Sequence, residues 1–504
     1  MTVQIESAAD VPESAGESLA ANKLGIAGIV FFVVAAAAPL VGMTGAVPIA
    51  IGLGNGAAAP GAYLVAGIVL LLFSVGYSTM SHRVSNTGAF FAFVGRGLGA
   101  VPGVASAFVS LLAYLAVQLA IYGFFGAVCA AQMDDKLGIN LSWWAWCLIA
   151  WAVVTVLSIL QVDIGAKVLG VLMGTEILSL LTTAVVVIVK GGGPDGLHFG
   201  ASFAPNHIFA GGLNGGAGIA LAFAFASYIG FEATAIYAEE TKNPKRAVPI
   251  ATYTAVSLIA VLFAITSWAI VSGVGSEHVV GNVMKISGDL GSPEQVVYSV
   301  ARDFVGGWMA TLMSWLVLSS LFAGLLAFQN SAARYFFSLG RARVLPRALD
   351  RVNKHGAPIY GAVATSIIAG AVIIVFAAAH KDPVATMFSW FSALAVLAIL
   401  LVEALVSVSV IVFFRRESHW WKTILAPVLA ILGLVLAYYL VMARFGLLAG
   451  TVAKGVDPTS QTFGLSTLGW VLVLLPIIVL VAGALFGKLR SNEENADAVA
   501  DLVS

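Results

Sequence analysis

Long apolar runs limit what this chain can fold into more than any other feature. A helical membrane span needs about 20 mainly apolar residues. Twelve such runs follow one another, at roughly residues 25–53, 58–79, 101–131, 142–161, 164–189, 215–238, 248–273, 306–333, 358–379, 386–414, 423–443 and 466–487. Hydrophobic residues make up 60% of the chain and charged residues only 10%, against about 25% charged in soluble domains. The expected fold is therefore an all-α polytopic membrane protein. Lys+Arg and Asp+Glu both number 25, so nothing in the charge balance points to a nucleic-acid partner. The two cysteines, Cys129 and Cys147, form no CxxC or Cys/His cluster. A metal site is not expected, and packing is the preferred role for both thiols over a disulfide.

Orientation follows from the loop cations, which accumulate on the cytoplasmic side. With the N-terminus inside, eighteen Lys and Arg fall on the cytoplasmic side and seven outside. The inside set includes Lys242, Lys245 and Arg246 after run six, and Arg334, Arg341, Arg343, Arg347, Arg351 and Lys354 after run eight. Both termini are expected in the cytoplasm, at an inner (cytoplasmic) cell membrane. Residues 1–24 form an acidic tail with no basic start to a secretory signal, so the first run is expected to remain as an uncleaved span.

Two runs are interrupted. Run one passes from GIAGIVFFVVAAAA into Pro39, Gly42, Thr44, Gly45 and Pro48. Proline removes a backbone donor and clashes with the preceding turn, and glycine weakens a helix by about 1 kcal/mol. Together they argue for a helix that unwinds and restarts, a proline kink being the alternative. Run six is interrupted by Ser227, Tyr228 and Gly230. Broken helices at corresponding positions of two halves point to a transporter built from inverted repeats. The first repeat would cover 25–190 and the second 191–414, with 415–487 holding two further spans and 488–504 a cytoplasmic tail. Unwound backbone cannot face lipid. Free N–H groups suit a carboxylate, and free carbonyls suit an ammonium group or a cation. A site with both, midway through the membrane, suits a small zwitterion.

Three carboxylates sit deep in apolar runs: Glu176, Glu232 and Glu403. A charge at such depth costs about 2.5–3.5 kcal/mol on insertion scales. Burial favours the neutral form of a carboxylic acid, as a proton-coupled carrier requires. Proton coupling or gating is the favoured role for Glu232, a structural hydrogen bond to a neighbouring span its alternative. For Glu176 the two stand level, and for Glu403 the structural role leads. Ser319 and Ser320 on run eight, with carbonyls of run one, could form an oxygen site for sodium. Gln329 and Asn330 are weaker ligand candidates. Tyr114, Tyr122, Trp390 and Phe391 are candidates to cap a cavity, with packing or an interfacial position as the alternative.

GFE followed by AEETKNPKRAVPIA (230–251) resembles the sixth-span signature of amino acid permeases of the amino acid–polyamine–organocation superfamily. NTGAFFAFVGRGLG (86–99) and QNSAARYFFSLGRARVLPRALDRVN (329–353) are similar to two further segments of that family. The resemblance covers about 25–487. It implies twelve transmembrane helices, an inverted five-plus-five helix repeat with helices 1 and 6 broken, and secondary transport of an amino acid or related amine by alternating access. It implies that the substrate carboxylate meets Val41, Gly42, Met43, Thr44 and Gly45. The amino group would meet Ala226, Ser227, Tyr228 and Ile229, with Gly230 closing the substrate edge. Glu232 takes the place of a gating and proton-coupling carboxylate. Departures are plain: Glu176 is an acid where many relatives carry lysine, PLVGMTG replaces the usual Gly-Ser-Gly break, and Ala226 stands where some members place an aromatic gate, a part Phe225 could take.

A permease is thus expected, with proton symport as the first reading of its energetics and sodium coupling or amino acid/polyamine exchange as the alternatives. No cofactor is expected. No nucleophile or acid–base constellation marks an enzyme, and no filter motif marks a channel.

Overall fold

In the computed structural model, residues 25–84, 90–160, 164–237, 241–289, 292–353, 356–417 and 419–491 are described. The acidic tail 1–24, the tail from residue 492, residues 86–89, Glu239, Glu240 and Lys354 lie outside them. The membrane-type helices are α1 (Ile26–Ala37), α2 (Ala59–Ser81), α3 (Ala100–Leu137), α4 (Trp143–Leu160), α5 (Ile164–Val189), α6 (Ala217–Ala226), α7 (Pro244–Val274), α8 (Gly307–Arg341), α9 (Ile359–Ala378), α10 (Ser389–Phe413), α11 (Ala426–Ala443) and α12 (Thr467–Ser491). Among the described residues β pairing is limited to two single bridges, Gly193 with Gly196 and Val452 with Leu465. Ten helices there are long and apolar enough to cross a membrane. The first, Ile26–Ser81, is 56 residues long. It covers the first two apolar runs and turns at Gly54 and Gly56, whose backbone leaves the helical region. Run six is divided between α6 and the short helix Ala233–Ile236. The chain is a polytopic helical membrane protein.

Helix ends follow local chemistry. Pro60 and Pro244 sit in the first turns of α2 and α7, where the missing N–H has no partner to lose. α8 runs eight residues past its apolar stretch, to Arg341. Hydropathy falls there, but the hydrogen-bonded ladder continues through Arg334 to Gly340, which the protein itself buries. Helices α3 and α8, at 38 and 35 residues, are about 57 and 52 Å long at 1.5 Å per residue, so they exceed the bilayer core.

Packing is organised around these two helices. α3 lies against α8, α10, α12 and the helix Phe90–Leu98. α2 packs on α7, α4 on α9, α1 on α7 and α8, and α6 on α2 and α11. Close approach depends on small residues, as is common between membrane helices. At Gly67 of α2 an added Cβ would come within 2.7 Å of both Ala260 Cβ on α7 and the Tyr228 hydroxyl. Cys129 and Cys147 are buried free thiols, and Cys147 Sγ donates to the Tyr122 carbonyl at 3.0 Å.

Overpacking a fitted interface costs about 1–3 kcal/mol. Gly67→Val is therefore expected to lower the thermal unfolding midpoint of the purified protein in detergent. Ile68→Val, next in sequence but half exposed on the outer face, is expected to leave that midpoint unchanged.

Candidate functional site

The break in the first helix falls at Ala38. Pro39 disfavours right-handed helical geometry in the residue before it, and Ala38 takes φ +42, ψ +70, a left-handed conformation uncommon for a residue with a side chain. The chain then resumes at Pro39–Val41 and widens into π-helical turns at Gly42–Ala46 and Ala50–Asn55. Val41 thus ends a short ordinary turn and Gly42, Met43, Thr44 and Gly45 follow in wide helical turns, and none of them lies in an unwound strand. Such turns often mark functional sites.

The second break falls within the stretch expected to be irregular. α6 ends at Ala226, and Ser227 to Glu232 run as successive turns. Gly230 has φ +113, which glycine adopts without the strain a Cβ would bring. The two breaks meet. A Cβ on Gly230 would lie 2.6 Å from Ala36 Cβ, and one on Gly42 would lie 3.3 Å from Ser227 Oγ and 2.9 Å from the Phe263 ring. Thr44, Ser227, Tyr228, Ile229 and Gly230 are buried, whereas Val41 and Ala226 keep partial exposure. Met43 Sδ accepts from Thr266 Oγ1 at 2.9 Å, and Tyr228 Oη donates to the Tyr63 carbonyl at 2.9 Å.

Glu232 is fully buried at the edge of this junction. Its Oε2 accepts the Gly230 N–H at 2.9 Å, and its Oε1 accepts the Tyr114 hydroxyl of α3 at 2.7 Å. Tyr77 of α2 donates to the Glu232 carbonyl at 2.6 Å. Phe231 packs edge-on against Phe73 at 5.8 Å, and Tyr77 packs on Phe90 and Phe93. Near Gly45, the Phe124 and Phe388 rings stack at 5.0 Å, with Phe223 beyond them. Phe225, the alternative gate, is buried.

Helices α5 and α8 both pack on Pro39–Val41, and between them Ser319 Oγ lies 3.4 Å from Glu176 Oε1. Ser319 also donates to the Leu316 carbonyl at 2.7 Å, the shorter of the two contacts. Ser320 Oγ, buried and also facing Glu176, makes no hydrogen bond of normal geometry. Glu403 stands on α10 with Oε2 buried and unpartnered, within electrostatic reach of Glu232. Gln329 and Asn330 serve the scaffold. Gln329 accepts from Gln118 at 2.7 Å and donates to the Ala362 carbonyl and Ser366 Oγ at 2.9 Å, and Asn330 Oδ1 accepts from Ser158 at 2.8 Å. Trp390 packs edge-on against Phe376, and Phe391 packs on the same ring. No group of three or more His, Cys, Asp and Glu able to hold a metal occurs among the described residues.

Discontinuous helices that meet inside a bundle of long membrane helices are a feature of many transporter folds. The chain belongs to the amino acid permease family, whose sequence model matches residues 24–475. Curated relatives agree with this placement. A branched-chain amino acid permease of Lactococcus lactis is 24% identical over 333 residues, covering 61% of this chain and 66% of that protein. Cationic amino acid transporter 6, chloroplastic, of Arabidopsis thaliana is 23% identical, covering 62% and 54%. Histidine permease of Saccharomyces cerevisiae is 26% identical, covering 52% and 43%. The matches thus span from under half to just under two thirds of these relatives' own length.

A hydrogen bond to a charged group contributes about 1.5–3 kcal/mol. Tyr114→Phe is expected to lower stability by that order, by denaturant titration in mixed micelles. In a Glu232→Ala background the same change should cost much less, because contacting residues couple by about 0.5–3 kcal/mol. Additive losses would mean that Tyr114 stabilises the fold independently of Glu232.

Proposed function

We propose that this protein is a secondary transporter that moves an amino acid across the cytoplasmic membrane by alternating access. The observation that carries the reading is the meeting of the two breaks, Ala38 with its following wide turns against Ser227 to Glu232. The short-range turn hydrogen bonds at this junction would have to be exchanged for bonds to the carboxylate and ammonium ends of one small molecule, which backbone N–H and carbonyl groups at helix breaks can hold. The relatives are named for branched-chain, cationic and histidine transport, and those solutes share only these two ends. The side-chain preference is therefore a separate property of the lining. The substrate would lie between Val41, Gly42, Met43, Thr44 and Gly45 on one side and Ala226, Ser227, Tyr228, Ile229 and Gly230 on the other.

Twelve crossings in two inverted five-helix repeats suit the packing, since α2 lies on α7, α3 on α8 and α4 on α9. Each of these pairs joins equivalent helices of the proposed halves, 25–190 and 191–414. The cation asymmetry supports cytoplasmic termini.

Proton coupling is the first reading of the energetics. Glu232 is tied at once to Gly230 within its own break and to Tyr114 of α3, so a change in its protonation would change the hydrogen bonds that hold the junction. Glu176, beside the other break, and Glu403, unpartnered on α10, are further candidates. Sodium coupling is the second reading, favoured by the hydroxyls of Ser319 and Ser320 beside Glu176. Exchange against internal amino acid or polyamine would need neither gradient.

Purified protein in proteoliposomes tests these readings. Uptake of a radiolabelled amino acid should follow an imposed inward proton gradient at fixed sodium. Uptake that follows sodium and ignores the pH gradient would overturn proton coupling, and failure to transport any amino acid or polyamine would overturn the carrier itself. Glu232→Gln should spare binding, measured by thermal shift, while reducing concentrative uptake by about 10-fold or more. Unchanged accumulation would remove Glu232 from the coupling step.

A further inference from the structure

A second cavity lies far from the paired breaks, where α3 ends and α8 begins, beneath the short helix Gln295–Phe304. Its volume is about 780 Å³, within the usual range for small-molecule pockets. Its lining is polar and, in part, unpaired. Gln132, at 8% exposure, has neither amide atom in a hydrogen bond. Glu294 and Tyr298, each at 4% exposure, leave Oε2 and Oη without partners. Buried polar groups in native proteins are nearly always satisfied. Three on one cavity wall are what a ligand's polar atoms would complete.

The cavity also carries both signs of charge. Glu294 and Asp135 are acids on its wall, and Lys136 and Arg302 are cations there. Lys136 Nζ donates to Ser314 Oγ and lies 4.8 Å from the centre of the Trp315 ring, so it is held in place at the wall. Asp135 and Arg302 are exposed at the mouth. We propose that this cavity is a second binding site for a small molecule carrying both an ammonium and a carboxylate group. The ammonium group meets Glu294, Tyr298 and the Gln132 carbonyl oxygen, and the carboxylate meets the Lys136 and Arg302 side. The ligand class follows from the cavity's own groups, so it stands whether or not the central junction carries an amino acid. In the proposed orientation the cavity faces outward, where it can hold a solute before or apart from transport.

Burial holds the Glu294 carboxyl above its ordinary range, opposed by hydrogen bonds from its own backbone and Ser292. Tyr298 on the same segment, Asp135 and Lys136 on α3 and Arg302 at the mouth are the other ionisable groups around it. A protonated Glu294 cannot pair with ammonium. Binding should therefore be strongest with the acid ionised and fade as pH falls through its raised titration.

Thr311 lines the cavity and is exposed, whereas the native Cys129 and Cys147 are buried. The test is the maleimide labelling rate of full-length Thr311→Cys in detergent with alanine, leucine, histidine, arginine, ethylamine or propionate. At about twice its Kd a ligand should slow labelling about threefold. The expected result is protection by at least one amino acid but not by ethylamine or propionate, lost with Glu294→Gln and with Gln132→Leu and kept with Gly230→Val, whose side chain would fill the central junction against Ala36. Size-exclusion profiles confirm that each variant is folded. Two results would overturn the site: no protection by any of the four amino acids, or protection kept with Glu294→Gln and lost with Gly230→Val, which traces it to the central junction. Equal protection by ethylamine or propionate alone would overturn the zwitterion assignment.

Discussion

Inside an apolar slab, every backbone group that leaves a helix needs a partner other than water. The region around Glu232 meets that demand with side chains. The carboxylate reaches back two residues to the Gly230 N–H, and Tyr77 from α2 supplies a donor for the Glu232 carbonyl. Tyr114 from α3 completes the carboxylate. One broken helix is thus pinned to two continuous ones, and the pin to α3 is a hydrogen bond that depends on the state of a single acid. The polar groups that make the break tolerable are the ones a moving junction would have to exchange.

The long helices supply the rigid frame for this arrangement. α3 carries Tyr114 to the junction and Gln118 to the Gln329 network, joining the central site to α8 and α9 through buried hydrogen bonds. The Gln329 carboxamide uses its oxygen towards α3 and its nitrogen towards α9. Polar residues within membrane helices serve as contacts between helices as readily as ligand groups. Gln329 and Asn330 illustrate the former use. The polar groups left unpaired at the outer cavity, Gln132, Glu294 and Tyr298, illustrate how the same residue types read differently when nothing in the protein completes them.

Family membership and local structure bear on different questions. The family accounts for the paired breaks and the carboxylate of GFE. It leaves the departures to the structure. The left-handed turn at Ala38 and the π turns from Gly42 replace a simple unwound segment, and Glu176 pairs loosely with Ser319 between two helices that flank Pro39–Val41.

Hydropathy alone determined much of this protein. The apolar runs and most of the observed helices agree to within a few residues, because burial in lipid requires a continuous apolar stretch and a helix to satisfy its backbone. Pro39 and Gly230 were legible as interruptions, since one removes an N–H and the other admits positive φ. Glu232 was legible as a charge out of place. What the sequence could not show is which groups meet. Tyr77 is an ordinary aromatic in a run, Tyr114 only a candidate cap, and the span from 275 to 305 reads as a loop, yet tertiary packing brings the first two to Glu232 and folds the third over a polar cavity. Hydrogen-bond partners more than 100 residues apart carry no local periodicity. Only the packing of α2, α3 and α8 around the broken helices decides them.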